Sequence, residues 1–399
     1  MRSDFLEIGK TGINWSAGYV YEEFLSVLRY RSGIKTYHEM RDNDPVVGST
    51  IHAITQILRE ARWGVKIPDG GSEEDKIFLE ENMKGMSHTW MEFITEAMSM
   101  MTYGWAWFEQ VYKRRKSDNR IVWKKFGTRK QSSYEKWEIN EVGEVLGLWQ
   151  RPPPNYQVVY IPIEKSLHFR TEPNGENPEG RSILRSAYKP WYYKKHIEEI
   201  EGIGLERDLT GMPMITLPPG VNPNSDDADT IATITAAKRL VSNIRRDEQD
   251  GIVKPNGWEF ELLSSPGQRQ FDTTAIINRY NKEIAVTVLA QFVMLGMERT
   301  GSYALAREQT NMFYQSLESW LDGIASVINR DAVTKLFVLN GSTRPIPYVV
   351  HTPIRRFDLK EISDYVSKMA GIDAIELDTD LKAFLKTYAR LSEFSDARL

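Results

Sequence analysis

Gly9-Lys10-Thr11 carries the last residues of a phosphate-binding loop. That loop also needs a glycine five residues before Gly9 and an apolar strand ahead of it, and position 4 is Asp. Gly202-Ile203-Gly204 is followed by Arg207 where a dinucleotide fingerprint wants a third glycine. It lies inside helical sequence, where close helix packing is the simpler expectation. Asp226, Asp227 and Asp229 could offer carboxylates to Mg²⁺. Acids at a helix start also suit the macrodipole, and no second acidic cluster joins them. The histidines, at 38, 52, 88, 168, 196 and 351, are scattered and make no zinc-site or triad spacing. The chain has no cysteine, which excludes a disulfide scaffold, a cysteine zinc site and thiol catalysis. No catalytic constellation emerges, and the residues call for neither metal nor cofactor.

The strongest charge feature runs from Lys113 to Lys136. It holds Lys113, Arg114, Arg115, Lys116, Arg120, Lys124, Lys125, Arg129, Lys130 and Lys136 against only Asp118 and Glu135, with Trp123 and Phe126 interleaved. Such a stretch could meet DNA backbone or an acidic partner, or be a hairpin whose charges face water. The chain as a whole is mildly acidic, with 51 basic and 55 acidic residues and a net charge of −4, so it is no polycation that coats DNA.

These residues need elements to hold them. With 399 residues, 41% hydrophobic and 27% charged, the chain has an ordinary globular balance and the material of two or three domains. The longest apolar run, Ala285–Met297, falls short of the roughly 20 residues that span a membrane, and the N-terminus does not read as a signal peptide. Residues 1–43 read as an irregular arm. Asp44 and Pro45 then open a helix whose apolar spacing continues to Trp63. Further helices are expected over Ser72–Met83, with Ser72 and Asp75 as a weak capping box, and over Trp90–Met101.

The period then changes to two. Trp105, Trp107, Glu109 and Val111 alternate with Ala106, Phe108, Gln110 and Tyr112, and more strands follow at Ile121–Phe126, Tyr134–Ile139, Val145–Gln150, Gln157–Ile161 and Ser166–Arg170. Short strands and Pro-rich turns suggest a meandering antiparallel sheet. Next come a helix over Ser182–Leu209, a strand at Met212–Leu217, an amphipathic helix over Asp226–Ile244 and a strand at Trp258–Leu262. Helices are expected over Thr273–Met294 and from Ser302 to Leu339, then a strand near Tyr348–His351 and helices at Leu359–Ala370 and Thr379–Leu391. The fold class read from this order is α+β.

Three blocks in this order resemble the portal proteins of tailed bacteriophages, near the Mu-like subgroup. They are Met40-Arg41-Asp42-Asn43-Asp44-Pro45-Val46-Val47 with its helix to Trp63, Asn174–Leu184 running into a long helix rich in Trp, Tyr and Lys, and Leu295–Ala306 followed by another long helix. The resemblance covers about residues 40–340. It implies a ring, typically of twelve subunits, at one capsid vertex, with DNA passing through its channel. The implied fold has a wing, a two-helix stem, an α/β clip, a tunnel loop and helix, and a short helical crown.

Mapped onto this chain, the arm and wing occupy 1–180, the first stem helix 181–209 and the clip 210–272. The second stem helix is 273–293, the tunnel loop and helix 294–340, the return to the wing 341–358 and the crown 359–399. The resemblance puts Met294, Leu295, Gly296, Met297, Glu298, Arg299, Thr300, Gly301 and Ser302 in the tunnel loop. It puts Arg279, Lys282 and Glu283 on the channel face of the stem, Arg245, Arg246, Lys254 and Trp258 in the clip, and the basic stretch on the wing. Implied partners are double-stranded DNA, the terminase large subunit, major capsid protein or scaffold, and neck or adaptor proteins. The implied location is the virion, after assembly in the host cytoplasm. The alternatives are a nuclease, which needs a compact set of metal-binding carboxylates, and a neck or minor head protein that binds the portal.

Overall fold

The computed structural model describes residues 8–172, 174–210, 212–217, 221, 227–243, 258–263, 272–287, 303–354 and 367–368. Strands β1 (Trp15–Ser16) and β2 (Tyr19–Val20) form a small hairpin, followed by helix α1 (Tyr30–Asn43). All of α1 falls in the stretch expected to be an irregular arm. Its buried face is Gly33, Thr36, Tyr37 and Met40, small or polar for the most part, so the helix lacks the apolar stripe that announces one. Helix α2 (Pro45–Leu58) starts as expected: the Asp44 carboxylate accepts from the Val46 and Val47 N–H groups, with Pro45 at the first helical position. It ends at Leu58 rather than Trp63. Trp63–Lys66 forms β3, which pairs antiparallel with β12 (Tyr348–His351), a non-local pairing that overrides the local helical pattern.

Helix α3 (Glu73–Lys84) has Ser72 at its N-cap position, but the Ser72 side chain makes no capping bond. The capping box lies one helix later, where Thr89 and Glu92 satisfy each other's backbone N–H at the start of α4 (Trp90–Ala97). The single helix expected over Trp90–Met101 is broken at Met98 into α4 and the short α5 (Ser99–Tyr103), which ends on left-handed Gly104.

Strands β4 (Trp105–Arg114), β5 (Ile121–Arg129), β6 (Tyr134–Ile139), β7 (Val145–Gln150), β8 (Val159–Pro162) and β9 (Ser166–Arg170) follow. They form two three-stranded antiparallel sheets, β5-β4-β9 and β6-β7-β8, rather than one meander. β9 returns to pair with β4, from Trp105 opposite Arg170 to Glu109 opposite Ser166. This closure follows from β4 being buried on both faces. Trp105 and Trp107 pack with Tyr134, Trp137 and Leu148 of the second sheet. Ala106 and Phe108 turn to the main core, with Phe93, Trp123, Phe126 and Phe169.

Helix α6 (Tyr188–Thr210) leads out to β10 (Met212–Thr216), α7 (Ala228–Asn243) and β11 (Glu259–Leu263), and α8 (Thr273–Thr287) leads back. Helix α9 (Tyr303–Val327) continues through a π-helical segment at Ile328–Val333 into α10 (Thr334–Leu339). Leu317, Leu321, Ile324, Ile328, Leu336 and Phe337 bury this run in the main core. A further cluster joins Tyr37 and Met40 of α1, Val47 and Ile51 of α2, Trp191 of α6 and Ile284 of α8. The architecture is α+β. The expected helices after Leu359 lie outside the described residues, apart from helical 367–368.

Candidate functional site

Helices α6 and α8, the expected stem, pack on each other. Tyr193 stacks on Tyr280 with ring centroids 6.3 Å apart, and Thr273 Oγ1 donates to Glu201 Oε1 at 2.5 Å. At the base of α6, Lys194 Nζ donates to Asp44 Oδ2 at 2.8 Å. The two side chains are 2% and 4% exposed, so this is a buried ion pair. Asp44 Oδ1 meanwhile caps α2 at 2.9 Å from Val46 N and 3.1 Å from Val47 N. One carboxylate therefore starts α2 and anchors α6. Asp44 comes from the first resembling block and Lys194 from the helix after the second.

The expected channel residues Arg279, Lys282 and Glu283 are all exposed on α8. Arg279 sits 3.7 Å from Glu283 one turn on, and its guanidinium lies 4.8 Å from the Tyr280 ring centroid. Opposite charges one turn apart leave little net field along this face.

The described part of the expected clip is a strand–helix–strand unit. β10 pairs antiparallel with β11, Met212 opposite Leu263 and Thr216 opposite Glu259, and α7 packs on β10. Asp227 accepts from Thr230 N and Oγ1, so this acid caps α7. Trp258 is buried, while Ile231 on the apolar face of α7 is 49% exposed. Arg245, Arg246 and Lys254 lie outside the described residues, as does the whole expected tunnel loop, Met294 to Ser302.

The basic stretch forms the β4–β5 hairpin. Arg115 donates to Glu81 at 2.5 Å and to Asp118 Oδ1 at 2.9 Å, and holds the Asp118 carboxyl down at about 2. Arg120 lies over Phe78 at 3.6 Å from its centroid and 3.9 Å from the Glu74 and Asp75 carboxylates. Arg129 pairs with Glu109. Lys136 lies over Trp149, 5.7 Å from the ring centroid. The acids of α3, distant in sequence, thus neutralise several of these cations. Lys113, Arg114, Lys116, Lys124, Lys125 and Lys130 are exposed and make no ion pair among the described residues.

The chain between β9 and α6 packs back on the start of β4. Thr171 N donates to Gly104 O, and Ser182 Oγ donates to Thr102 O at 2.5 Å. Gly104 has φ +89°, and a Cβ there would stand 2.2 Å from Glu179 O, so glycine is required twice over. Trp137 has two titratable neighbours, His168 buried and Glu179 half-buried. Its Nε1 donates to Glu179 Oε1 at 3.3 Å, and its ring lies 5.4 Å from His168, whose Nε2 meets Pro178 O at 2.8 Å. Burial pushes the Glu179 carboxyl up to about 7 and the His168 imidazole down to about 3. No spacing in the sequence marks this pair, nor Lys194 and Asp44, because each is assembled from distant segments.

Other sequence candidates resolve simply. Thr11 N donates to Val142 O, which places Gly9-Lys10-Thr11 beside a β-turn. Gly202 and Gly204 do not serve close packing within the subunit, since a Cβ on either would meet nothing within 4 Å; α8 packs on the Tyr193 and Glu201 side of α6 instead. Among the described residues no three His, Asp or Glu side chains gather as a metal site, and no helix is long and apolar enough to cross a membrane.

The sequence model of the family described as the portal protein of Mu bacteriophage matches residues 34–388. The fold is similar to the neck of an empty gene transfer agent (GTA) particle computed with C6 symmetry, at 11% identity and TM-score 0.55, covering 88% of this chain and 93% of that one. It is similar to the neck of a native GTA particle computed with C12 symmetry, at 11% identity and TM-score 0.52, covering 88% and 92%. A chain in the virion of a native gene transfer agent particle matches at 12% identity and TM-score 0.51, covering 88% and 93%. At these identities the likeness is one of fold, whereas the family match extends over most of the sequence and takes in all three resembling blocks. The chain belongs to the family of Mu bacteriophage portal proteins.

Proposed function

We propose that the chain is one subunit of a closed ring at a capsid vertex, and that double-stranded DNA enters and leaves the capsid through its axial channel. The observation that carries this is the family match over residues 34–388. The C12 symmetry of a GTA neck with the same fold supports a ring of twelve. In this reading the protein belongs to the virion, after assembly in the host cytoplasm, and performs no catalysis. The ATPase that drives packaging is a separate partner, the terminase large subunit, docking on the clip. Capsid or scaffold protein and neck proteins meet the remaining surfaces.

A conduit must guide a polyanion without gripping it. Each phosphate neutralised by a fixed cation strengthens binding, and several at once would stall movement. The stem suits this demand if α8 faces the channel, because its Arg279 is offset by Glu283. Met294–Ser302 is the proposed tunnel loop, with Arg299 touching phosphates and Glu298 limiting the contact.

The test is electron microscopy of the purified chain, with packaging assays on Glu298→Ala/Arg299→Ala. A ring with an axial hole, narrowest at 294–302, is expected. A stable monomer with Mg²⁺-dependent DNA cleavage would overturn the reading in favour of a nuclease. Normal packaging and retention by the double variant would remove the tunnel-loop role alone.

A further inference from the structure

The wing carries opposite charge at the two ends of one strand. At the start of β4, Trp105 lines a cavity of about 300 Å³. Its wall carries Glu22, Glu23, Glu172 and Glu179, against Arg181 and Arg185. Arg185 is already committed to Glu23, at 2.5 and 2.8 Å. Glu179 is taken by Trp137 Nε1, so the surplus carboxylates are the exposed Glu22 and Glu172, against Arg181.

At the other end of β4 stands the tip of the basic hairpin. Its last five residues have left β9 behind and pair only with β5. Lys113, Arg114 and Lys116 are exposed there without a carboxylate partner among the described residues. At about 3.3 Å per residue, β4 separates cavity and tip by roughly 30 Å. A head-to-tail ring joins two different patches that face apart on each subunit.

We propose that the basic β4–β5 tip of one subunit docks against the acidic Glu22–Glu172 rim of this cavity on the next copy of this chain around the ring. The occupant is a second copy because one chain supplies both complementary patches, at opposite ends of one rigid strand. The inference rests on the ring reading above. The contact supplies orientation and salt-sensitive assembly, as rim charges generally do.

The test uses the full chain, followed by mass photometry over a concentration and salt series. Variant A reverses the tip (Lys113→Glu, Arg114→Glu, Lys116→Glu). Variant B reverses the cavity rim (Glu22→Lys, Glu172→Lys). Each alone should need at least about ten-fold more protein to assemble, because like charges then face each other. Mixed in equal amounts, A and B should assemble again, since alternating subunits restore both pairings. Circular dichroism confirms that each variant is folded.

If A and B alone assemble like the parent, or if the mixture of folded variants stays as defective as its parts, the docking contact is wrong while the ring stands. Loss of DNA or capsid association by A with unchanged assembly would also overturn the contact and assign the tip to that partner. A parent chain that never forms rings would sink the ring reading and this contact together.

Discussion

Replacing Lys194 by Met keeps most of the side chain's length and removes its charge. Asp44 then sits in a site where it is 5% exposed, with its two backbone capping bonds but no counter-ion. Removing one partner of a buried pair costs roughly 3–5 kcal/mol, because the remaining charge stays desolvated. Asp44→Asn isolates a different part. Asn still caps a helix, so the cap, worth about 1 kcal/mol, is kept while the charge is lost. Lys194 would retain only Glu198, at 3.8 Å and 48% exposed, a weak substitute. The double variant Lys194→Met/Asp44→Asn buries no unpaired charge and should recover at least about 2 kcal/mol of the summed single losses.

The assay is urea unfolding of all four proteins at equal concentration and matched oligomeric state, since assembly itself adds apparent stability. Hydrogen exchange across α2 and the first turns of α6 should rise in the single variants and fall back in the double. A Lys194→Met cost below about 1 kcal/mol, or strictly additive single effects, would refute the claim that this pair joins α6 to α2.

The pH dependence should show two opposed groups. The Glu179 carboxyl is raised to about 7 in the fold, so its contribution is present at low pH and lost as pH rises through about 7; Glu179→Gln should gain on the order of 1–3 kcal/mol at pH 8 and little below pH 5, read from melting curves. The His168 imidazole is lowered to about 3, so its contribution is present above about pH 6.5 and lost as pH falls towards 3; His168→Gln should flatten the acid limb. Gln110 Nε2 donates to Ser166 O at 3.0 Å and to Asp331 O at 3.1 Å, and its Oε1 accepts from Tyr112. Gln110→Leu should cost about 2–4 kcal/mol and speed amide exchange in the π-helical segment at Ile328–Val333. Gly104→Ala should cost more than about 2 kcal/mol or block folding, measured by soluble yield and melting temperature.

Much of the chain from Asp44 to Arg170 was legible because its signals are local. β6, β7 and β9 begin and end where alternation begins and ends, and Asp44-Pro45 marks the start of α2 from two adjacent residues. The failures are non-local. α1 buries Gly33 and Thr36, whose types carry no hydrophobic period. β3 exists because β12, almost 300 residues away, supplies its hydrogen bonds. The charge of the β4–β5 hairpin could not be judged from its own stretch, since Glu74, Asp75 and Glu81 come from α3. Lys194 reads as an ordinary surface lysine until α2 is packed against α6.

Apolar contact decides that α6 lies near α2, and that the run from α9 to α10 lies in the main core, but it is non-directional and leaves rotation loosely set. The buried polar contacts occur where rotation matters. Lys194–Asp44 ties α6 to the end of α2. Asn329 bonds Val349 through both its amide groups, and Gln110 reaches the Asp331 carbonyl inside the π-helical segment, where the helical ladder is out of step. Ser182 ties the loop before α6 to Thr102. In a free monomer a few degrees at such a joint would matter little. In a closed ring the same error recurs at every subunit, and the rotations must still sum to a full turn. Directional bonds at the joints hold that angle, and this gives a physical reason to bury an ion pair that packing alone would not need.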